Sequence, residues 1–377
     1  MAFDLIFFAV VILLYSFLII KAMYGLILMP KQLLQEVNLT TFPFISIIVS
    51  IRNEKNNAEE FVKQIEKQCY PKQHFELIVI DDASLDFSYE AFDEVLKKTE
   101  ITFFLKKQFN HKGKKTNISE GISMAKGSII VTTDADVIYR NTHWLHHIAF
   151  EFQNKETNML IMPVDFSEDN SALAAFQTTE NMALAGIAAG YCMLQKPFLC
   201  NGANLAFTKK GFEKVNGYAS HIAMSSGEDI FLLEDFKKLG IQFIRYAHQV
   251  ECSVKTKPMT TMSDFITQRL RWANKSTQNP NWINVFMGSV IVFANLIFIA
   301  CVFAIISKNV NVYYLGIFAL IKLMFDFLLL FLASNFIGKK KYVAFLMPFE
   351  CVYWMYAVVV ALGALFFKPY WKGIKIN

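Results

Sequence analysis

Ser128-Ile129-Ile130-Val131-Thr132-Thr133-Asp134-Ala135-Asp136 decides the fold. Every residue from Ile129 to Thr133 is β-branched, which favours a strand, and the run stops abruptly at two acids. Two earlier apolar runs behave alike. Residues 44–50 lead into Ile51-Arg52-Asn53-Glu54, and residues 76–80 lead into Asp81-Asp82-Ala83-Ser84-Leu85-Asp86. Helical patterns around 57–69, 87–98 and 115–125 separate these runs. Alternation of strand and helix predicts an α/β domain, a mostly parallel sheet with helices on both faces. In such sheets ligands bind beyond the carboxyl ends of the strands, where these acids stand.

Working outward, the texture changes at about residues 40 and 280. The whole chain is 54% hydrophobic, with 37 Phe and only 18% charged residues, and its mean hydropathy is +0.33. That is more apolar side chain than a soluble domain of this size buries, so part of the chain is expected in lipid. Residues 5–29 are apolar except for Lys21, long enough to span at about 20 residues per crossing. With Asp4 at its start, no basic stretch before it and no A-x-A-like site, the segment reads as an uncleaved anchor. Three further candidates lie at 285–306, 312–337 and 342–367. The second carries Lys322 and Asp326 on one helix face, either as glue between helices or as part of an acceptor or ion path. The expected organisation is an anchor at 1–30, an α/β domain at 40–257, an amphipathic interface segment at 258–282, and a transmembrane bundle with a basic tail at 283–377.

The net charge of +5, without a Lys/Arg-rich run in the first 300 residues, does not suggest nucleic acid as a partner. Cysteines at 69, 192, 200, 252, 301 and 351 show no CxxC pair or metal-ligand spacing and are expected to be free thiols.

Asp134 and Asp136 fall on the same side of an extended backbone, and two hard oxygen donors there suit Mg or Mn, which take other ligands from water and pyrophosphate. Isolated Asp-x-Asp is commonly a solvated turn; here it stands parallel to a second acidic strand end. His111-Lys112-Gly113-Lys114-Lys115 precedes a helical segment, as a phosphate contact or as an ordinary turn. Gly227-Glu228-Asp229 opens another helix, as a cap or as a general base aimed into a cleft. In 261–273, apolar residues at 262, 265, 266 and 270 make an amphipathic stripe, with Thr261 and Asp264 at its start. It carries Gln268-Arg269-Leu270-Arg271-Trp272, two of only five arginines, with Arg271 suited to a pyrophosphate and Trp272 to stacking on a sugar or base. The Ala-, Gly- and Met-rich stretch 169–194 is either a packed core helix or a border of an acceptor site.

Taken in order, Asn53-Glu54, Asp81-Asp82, Gly113-Lys114, Asp134-Ala135-Asp136, Gly202-Ala203-Asn204-Leu205-Ala206-Phe207, Glu228-Asp229 and Gln268-Arg269-Leu270-Arg271-Trp272 resemble the processive-type and lipid-acceptor branches of the family 2 inverting glycosyltransferases. The resemblance covers roughly 44–275. It implies a GT-A fold, a nucleotide-diphosphate sugar donor, a UDP-sugar first among them, and a divalent metal. It implies that Glu54 and Asp82 face the uracil and ribose, that Lys114 lies near the nucleotide, and that Asp134 and Asp136 hold the diphosphate through the metal. Asp229 would be the base, with Glu228, Gly202 and Asn204 on the acceptor side. Gln268, Arg271 and Trp272 would close over the donor. Asn117 stands where the family more often has a small apolar residue. The tail Trp371-Lys372-Gly373-Ile374-Lys375 resembles members that glycosylate lipids, with Ile374 replacing a common arginine.

The implied chemistry is one inverting displacement on a membrane-associated, lipid acceptor. A cytoplasmic donor implies a catalytic domain facing the cytoplasm, in the inner membrane if the source is bacterial, and an outer amino terminus. Lys339, Lys340 and Lys341 would then lie inside, while Lys368, Lys372 and Lys375 lie outside if the last span crosses. Rivals are a polysaccharide synthase that extrudes its product, a nucleotidyltransferase, and a membrane transporter or scaffold with a non-catalytic domain. The nucleotidyltransferase has no use for Gln268 to Trp272 or a lipid-embedded half.

Overall fold

The computed structural model describes residues 2–30, 39, 41–222, 224, 227–247, 249–278, 282–308, 311–366, 370–371 and 374–375; Lys368 and Lys372 of the basic tail lie outside them. Two compact units divide the chain. A sheet unit comprises Pro30–Ser167, Cys192–Lys257 and Trp371–Asn377, and a helical unit comprises Met1–Met29, Glu168–Tyr191 and Pro258–Tyr370.

In chain order the elements are α1 (Ala2–Leu28), β1 (Ile45–Ile51), α2 (Ala58–Glu66), β2 (Phe75–Asp81), α3 (Ser88–Leu96), β3 (Thr102–Lys107) and α4 (Lys114–Met124). Next come β4 (Ile129–Thr133), β5 (Ile138–Tyr139), α5 (Trp144–Glu151), β6 (Met159–Ile161), β7 (Val164–Phe166) and α6 (Ala172–Met193). Then follow β8 (Asn204–Thr208), α7 (Lys209–Lys214), α8 (Glu228–Lys237), β9 (Ile244–Tyr246) and β10 (Val254–Thr256). The remaining helices are α9 (Met262–Gln278), α10 (Trp282–Ile306), α11 (Val312–Ile337) and α12 (Leu346–Phe366).

In the sheet unit the main sheet runs β3-β2-β1-β4-β8-β6-β9. Strands β1 to β4 pair in parallel, Ile45 opposite Phe75 and Ile129, while β8 lies antiparallel to β4 and β6. The parallel strands are buried on both faces, as continuous apolar runs require. Helix α2 turns Ala58, Phe61, Val62 and Ile65 inward, the stripe of a core-facing helix. Strand β3, which sequence reasoning did not delineate, is a half-covered edge strand ending in Lys106 and Lys107. Because the chain runs from β1 out to β3 and returns to β4 on the other side, the order reverses between β1 and β4. A crevice opens at such a switch point beyond the carboxyl ends.

Among the described residues of the helical unit, four helical segments are long and apolar enough to cross a membrane: Leu5–Leu28, Val285–Ile306, Val312–Ile337 and Lys340–Ala364. Lys322 is buried and joins two helices. Its Nζ lies 2.6 Å from Asp326 Oδ2 and 2.7 Å from Glu350 Oε2 on α12, and Tyr15 of α1 donates its hydroxyl to Asp326. Helix α6 belongs with this unit, not with the α/β domain in which the boundaries 40–257 placed it, and it is a packed helix. Its small residues let it approach α1 backbone to backbone. A Cβ added at Gly190 would stand 2.1 Å from Ala22 O, and one added at Gly25 would stand 1.9 Å from Gly190 O.

Gly25→Ala and Gly190→Ala should each destabilise the protein by about 1–3 kcal/mol, the usual cost of overpacking. Gly288→Ala, where an added Cβ meets nothing within 4 Å, should leave the unfolding midpoint in detergent unchanged. Equal midpoints for all three would show that α1 and α6 separate at little cost.

Candidate active site

At the switch point the loops after β1 and β2 are knitted together. Asn53 N donates to Ser84 Oγ at 2.9 Å, Leu85 N to Asn53 Oδ1 at 2.9 Å, Glu54 N to Ser88 Oγ at 2.7 Å and Lys55 N to Asp86 Oδ2 at 3.1 Å. Arg52 Nη1 adds contacts to the carbonyls of Asp82 and Ala83. Asn53, Ala83 and Phe87 hold positive φ of 53°, 55° and 65°, strain that this lattice of bonds sustains. Glu54 is partly covered, its Oε2 accepting from Asn57 Nδ2 at 2.6 Å.

Neighbouring acids after β2 have different roles. Asp82 is turned onto the loop before α4: its Oδ2 lies 2.6 Å from His111 Nδ1, and its Oδ1 accepts from Lys112 N at 2.8 Å. Asp81 is fully buried, accepts from Ser84 N at 3.2 Å through Oδ2, and leaves Oδ1 without a hydrogen-bond partner. Burial holds its carboxyl above the usual aspartate range, against the pull of Ser84. Sequence reasoning assigned the nucleoside-facing role to Asp82 and gave Asp81 none. The available signal was the doublet itself, since successive side chains point oppositely as the strand ends.

Helix α4 starts after Gly113, whose φ of +85° suits glycine. From its first position Lys114 Nζ lies 2.6 Å from Asp134 Oδ1 and 3.3 Å from Glu228 Oε1. Burial opposes the ammonium charge, but Asp134, Glu228 and Asp229 outweigh it and hold the group above the usual lysine value. Asp134 and Asp136 form the turn after β4, Asp134 partly covered and Asp136 exposed. Among the described residues no group of three or more His, Cys, Asp or Glu side chains could hold a metal ion. The two carboxylates therefore do not make a closed cage. They fit a small, hard cation that brings waters and takes further ligands from phosphates.

Because Thr133 pairs with Asn204 across β4 and β8, the stretch before β8 meets the same end of the sheet. Gly202 N donates to Asp229 Oδ2 at 3.1 Å, and Ile230 N lies 2.9 Å from Asp229 Oδ1. A Cβ at Gly202 would sit 3.4 Å from Glu228 Oε1, so only a small residue leaves this approach open. Tyr218, buried and unremarked in the sequence, has its phenol pushed up by burial and by Glu228 and Asp229, which keeps it a protonated donor.

Asn204 is a correction. Its Nδ2 donates to the carbonyls of Pro163 and Cys252, both at 2.8 Å, and its Oδ1 accepts from Trp144 Nε1 at 3.2 Å. With no exposed surface, it joins core segments and does not face an acceptor.

The segment Gln268 to Trp272 lies on α9 in the helical unit, and its organiser is Arg269, which sequence reasoning left without a role. Arg269 Nε and Nη2 each lie 2.7 Å from Glu180 Oε2, and Tyr356 donates its hydroxyl to Glu180 Oε1 at 2.5 Å. The guanidinium lies 4.2 Å from the Trp272 ring centroid and 4.6 Å from that of Phe265, and it also bonds Gln268 Oε1. Trp272 therefore stacks on Arg269, whereas sequence reasoning aimed it at a sugar or base. Arg271 is partly covered on the same helix.

Residues 46–215 match the family model for glycosyl transferase family 2. Glycosyltransferase AglE of Haloferax volcanii is 24% identical over 216 residues, covering 56% of this chain and 66% of AglE. An undecaprenyl-phosphate 4-deoxy-4-formamido-L-arabinose transferase of Pseudomonas savastanoi is 28% identical over 95 residues, covering 25% of this chain and only 28% of that protein. The chain thus spans under two thirds of the length of these relatives. Among solved structures, the mannosyltransferase PcManGT from Pyrobaculum calidifontis, in complex with GDP-Man and Mn2+, covers 98% of this chain and 99% of its own at a TM-score of 0.59 and 16% identity. At that identity the likeness is one of fold. The mostly parallel GT-A sheet, the acids at its strand ends and the matched stretch 46–215 make this part of the chain similar to glycosyl transferase family 2.

Proposed function

We propose that the protein is an inverting glycosyltransferase that moves a sugar from a nucleoside-diphosphate sugar to a membrane-associated lipid acceptor. The observation that carries this reading is the Lys114 ammonium joining Asp134 at the end of β4 to Glu228 at the start of α8, beside Asp229. One side of that contact suits phosphates, and the other suits a hydroxyl that must lose a proton. Four apolar helices supply a membrane, and a relative named for undecaprenyl phosphate supports a lipid acceptor.

Asp229 takes the proton of the acceptor hydroxyl as that oxygen attacks the anomeric carbon and the diphosphate leaves, so the configuration inverts. The Gly202 N–H fixes the carboxylate that receives the proton. Asp81 offers its unpaired Oδ1 to an N–H of the base, and the knitted loops hold that edge ready before the donor arrives. Lys114 stays charged and meets the phosphate oxygens. Mg or Mn, when bound, would be held by Asp134 and Asp136 and would supply neutralising charge at the diphosphate. Within the helical unit, Arg269 holds Trp272 and Gln268 in place on α9. The donor is a UDP- or GDP-sugar, and the sheet unit faces the cytoplasm, where such donors are made.

The direct test is incubation of membranes containing the protein with a panel of UDP- and GDP-sugars, reading nucleotide release and extractable glycolipid. One donor should be consumed, and excess chelator should abolish the reaction. Release at full rate in chelator would remove the metal, and no release from any donor would remove the activity.

Asp229→Asn keeps the shape and loses the proton acceptor, so turnover should fall by about 10²–10⁴ while donor affinity is kept. Loss of donor affinity with turnover retained would make Asp229 a binding group and leave Glu228 as base.

Asp81 gives a pH signature. An acid raised in the folded state stabilises that state while protonated, and the contribution is lost as pH rises from the unfolded value, about 3.9, through the raised one. Asp81→Asn should therefore raise the unfolding midpoint at pH 7, and this gain should shrink as pH falls towards 4. The same variant should bind nucleotide about 10- to 100-fold more weakly. A variant less stable than wild type at pH 7 would show that the carboxylate is needed for folding.

A further inference from the structure

Lysine at position 115 stands in the first turn of α4 beside Lys114, yet it points elsewhere and is buried, with 4% of its surface exposed. Its Nζ donates to the carbonyl oxygens of His221 and Met224, each at 2.9 Å. The same ammonium lies 4.6 Å from the centroid of the Phe231 ring, on the first turn of α8. That ring stacks on His221 with centroids 4.5 Å apart and planes 17° from parallel, and His221 Nε2 reaches Asp235 Oδ2 of α8 at 3.4 Å. Phe231 N in turn bonds Gly227 O at 3.0 Å, closing the turn that carries Glu228 and Asp229.

Helix α4 is a firm base for this grip. Asn117 Nδ2 donates to Ser50 Oγ of β1 at 3.1 Å, and Gly121 lets the helix sit so close to β1 that an added Cβ would stand 2.7 Å from the Ile48 side chain. A buried lysine is a rare choice where an apolar side chain would fill the same volume. What it adds is a pair of charged donors across the turn that Met224 N closes onto the His221 carbonyl at 3.1 Å.

We infer that Lys115 is a positioning residue: its ammonium fixes the chain before α8 and the first turn of that helix, and so sets where Asp229 stands relative to Lys114 and the strand ends. Lys114 and Lys115 divide the work of one helical turn. The first meets the acids themselves, and the second holds the chain that delivers them. The inference rests on the assignment of Asp229 as the base proposed above.

The test uses Lys115→Met in the full chain in detergent micelles, with two readouts. Hydrogen exchange should quicken about tenfold or more at the amides of 219–222 and 227–231 while β1, β2 and β4 keep wild-type protection. Turnover should fall by about 10²-fold, as for a displaced catalytic group, with donor KM within about twofold of wild type. Unchanged exchange at those amides overturns the inference. So does faster exchange with undiminished kcat, and so does a donor KM that rises as far as kcat falls. If wild type turns over no nucleotide sugar, the proposed function fails by itself and the exchange result alone decides whether Lys115 holds this segment. Should Lys115→Met not fold, Lys115→Gln, which keeps an amide donor but no charge, carries the same readouts.

Discussion

The contact on which the candidate site depends is the one between the Lys114 ammonium and the acids around it. Asp134, Glu228 and Asp229 come from the end of one strand and the start of one helix, and like charges brought together there would repel and lose solvation at once. A single cation, partly screened from water and delivered by the first residue of α4, makes the gathering possible. The positions of β4, α4 and α8 are constrained by it, and the parallel strands hold the cation's own helix in register. Phosphate groups entering such a site meet a charge already present and already aimed, which lowers the reorganisation needed when a leaving group develops its charge.

Around this contact the polar side chains fall into two kinds. Some face the crevice at the switch point, as the turn of Asp134 and Asp136 does. Others turn away from it and brace what does: Asp82 braces the loop before α4, and Asn204 joins β8 to Pro163 and Cys252. Within the helical unit Arg269 in the same way joins α9 to α6 and α12. Residue type does not separate the two kinds, because an asparagine that reads a ligand and one that joins core segments have the same chemistry.

For that reason the strands and their acidic ends were legible in the sequence while several roles were not. Ile129 to Thr133 announce a buried strand through branching alone, and the acids that follow must lie at its carboxyl end. The helix starts at Lys114 and Glu228 were likewise readable. The partner of Arg269 is Glu180, 89 positions earlier, and nothing in the composition of α6 marks that acid as spoken for. Helix α6 itself reads as part of the domain that surrounds it in sequence, but its glycines match the backbone of α1, and close packing of small residues is a pairwise property. Strand β3 escaped notice because its apolar run, Phe103 to Leu105, is short and half-covered and stops at Lys106 and Lys107, unlike the longer buried runs of its neighbours.

The cluster around Lys322 bears on how the protein is made. Its four groups come from three helices, with Tyr15 in α1 near the beginning of the chain and Glu350 in α12 near the end, so most of the polypeptide is synthesised between the first partner and the last. When α11 enters the bilayer, Asp326 can pair with Lys322 on its own helix, but the second bond of the ammonium has no acceptor until α12 arrives. The polar seam among these helices is therefore complete only once α12 is in place.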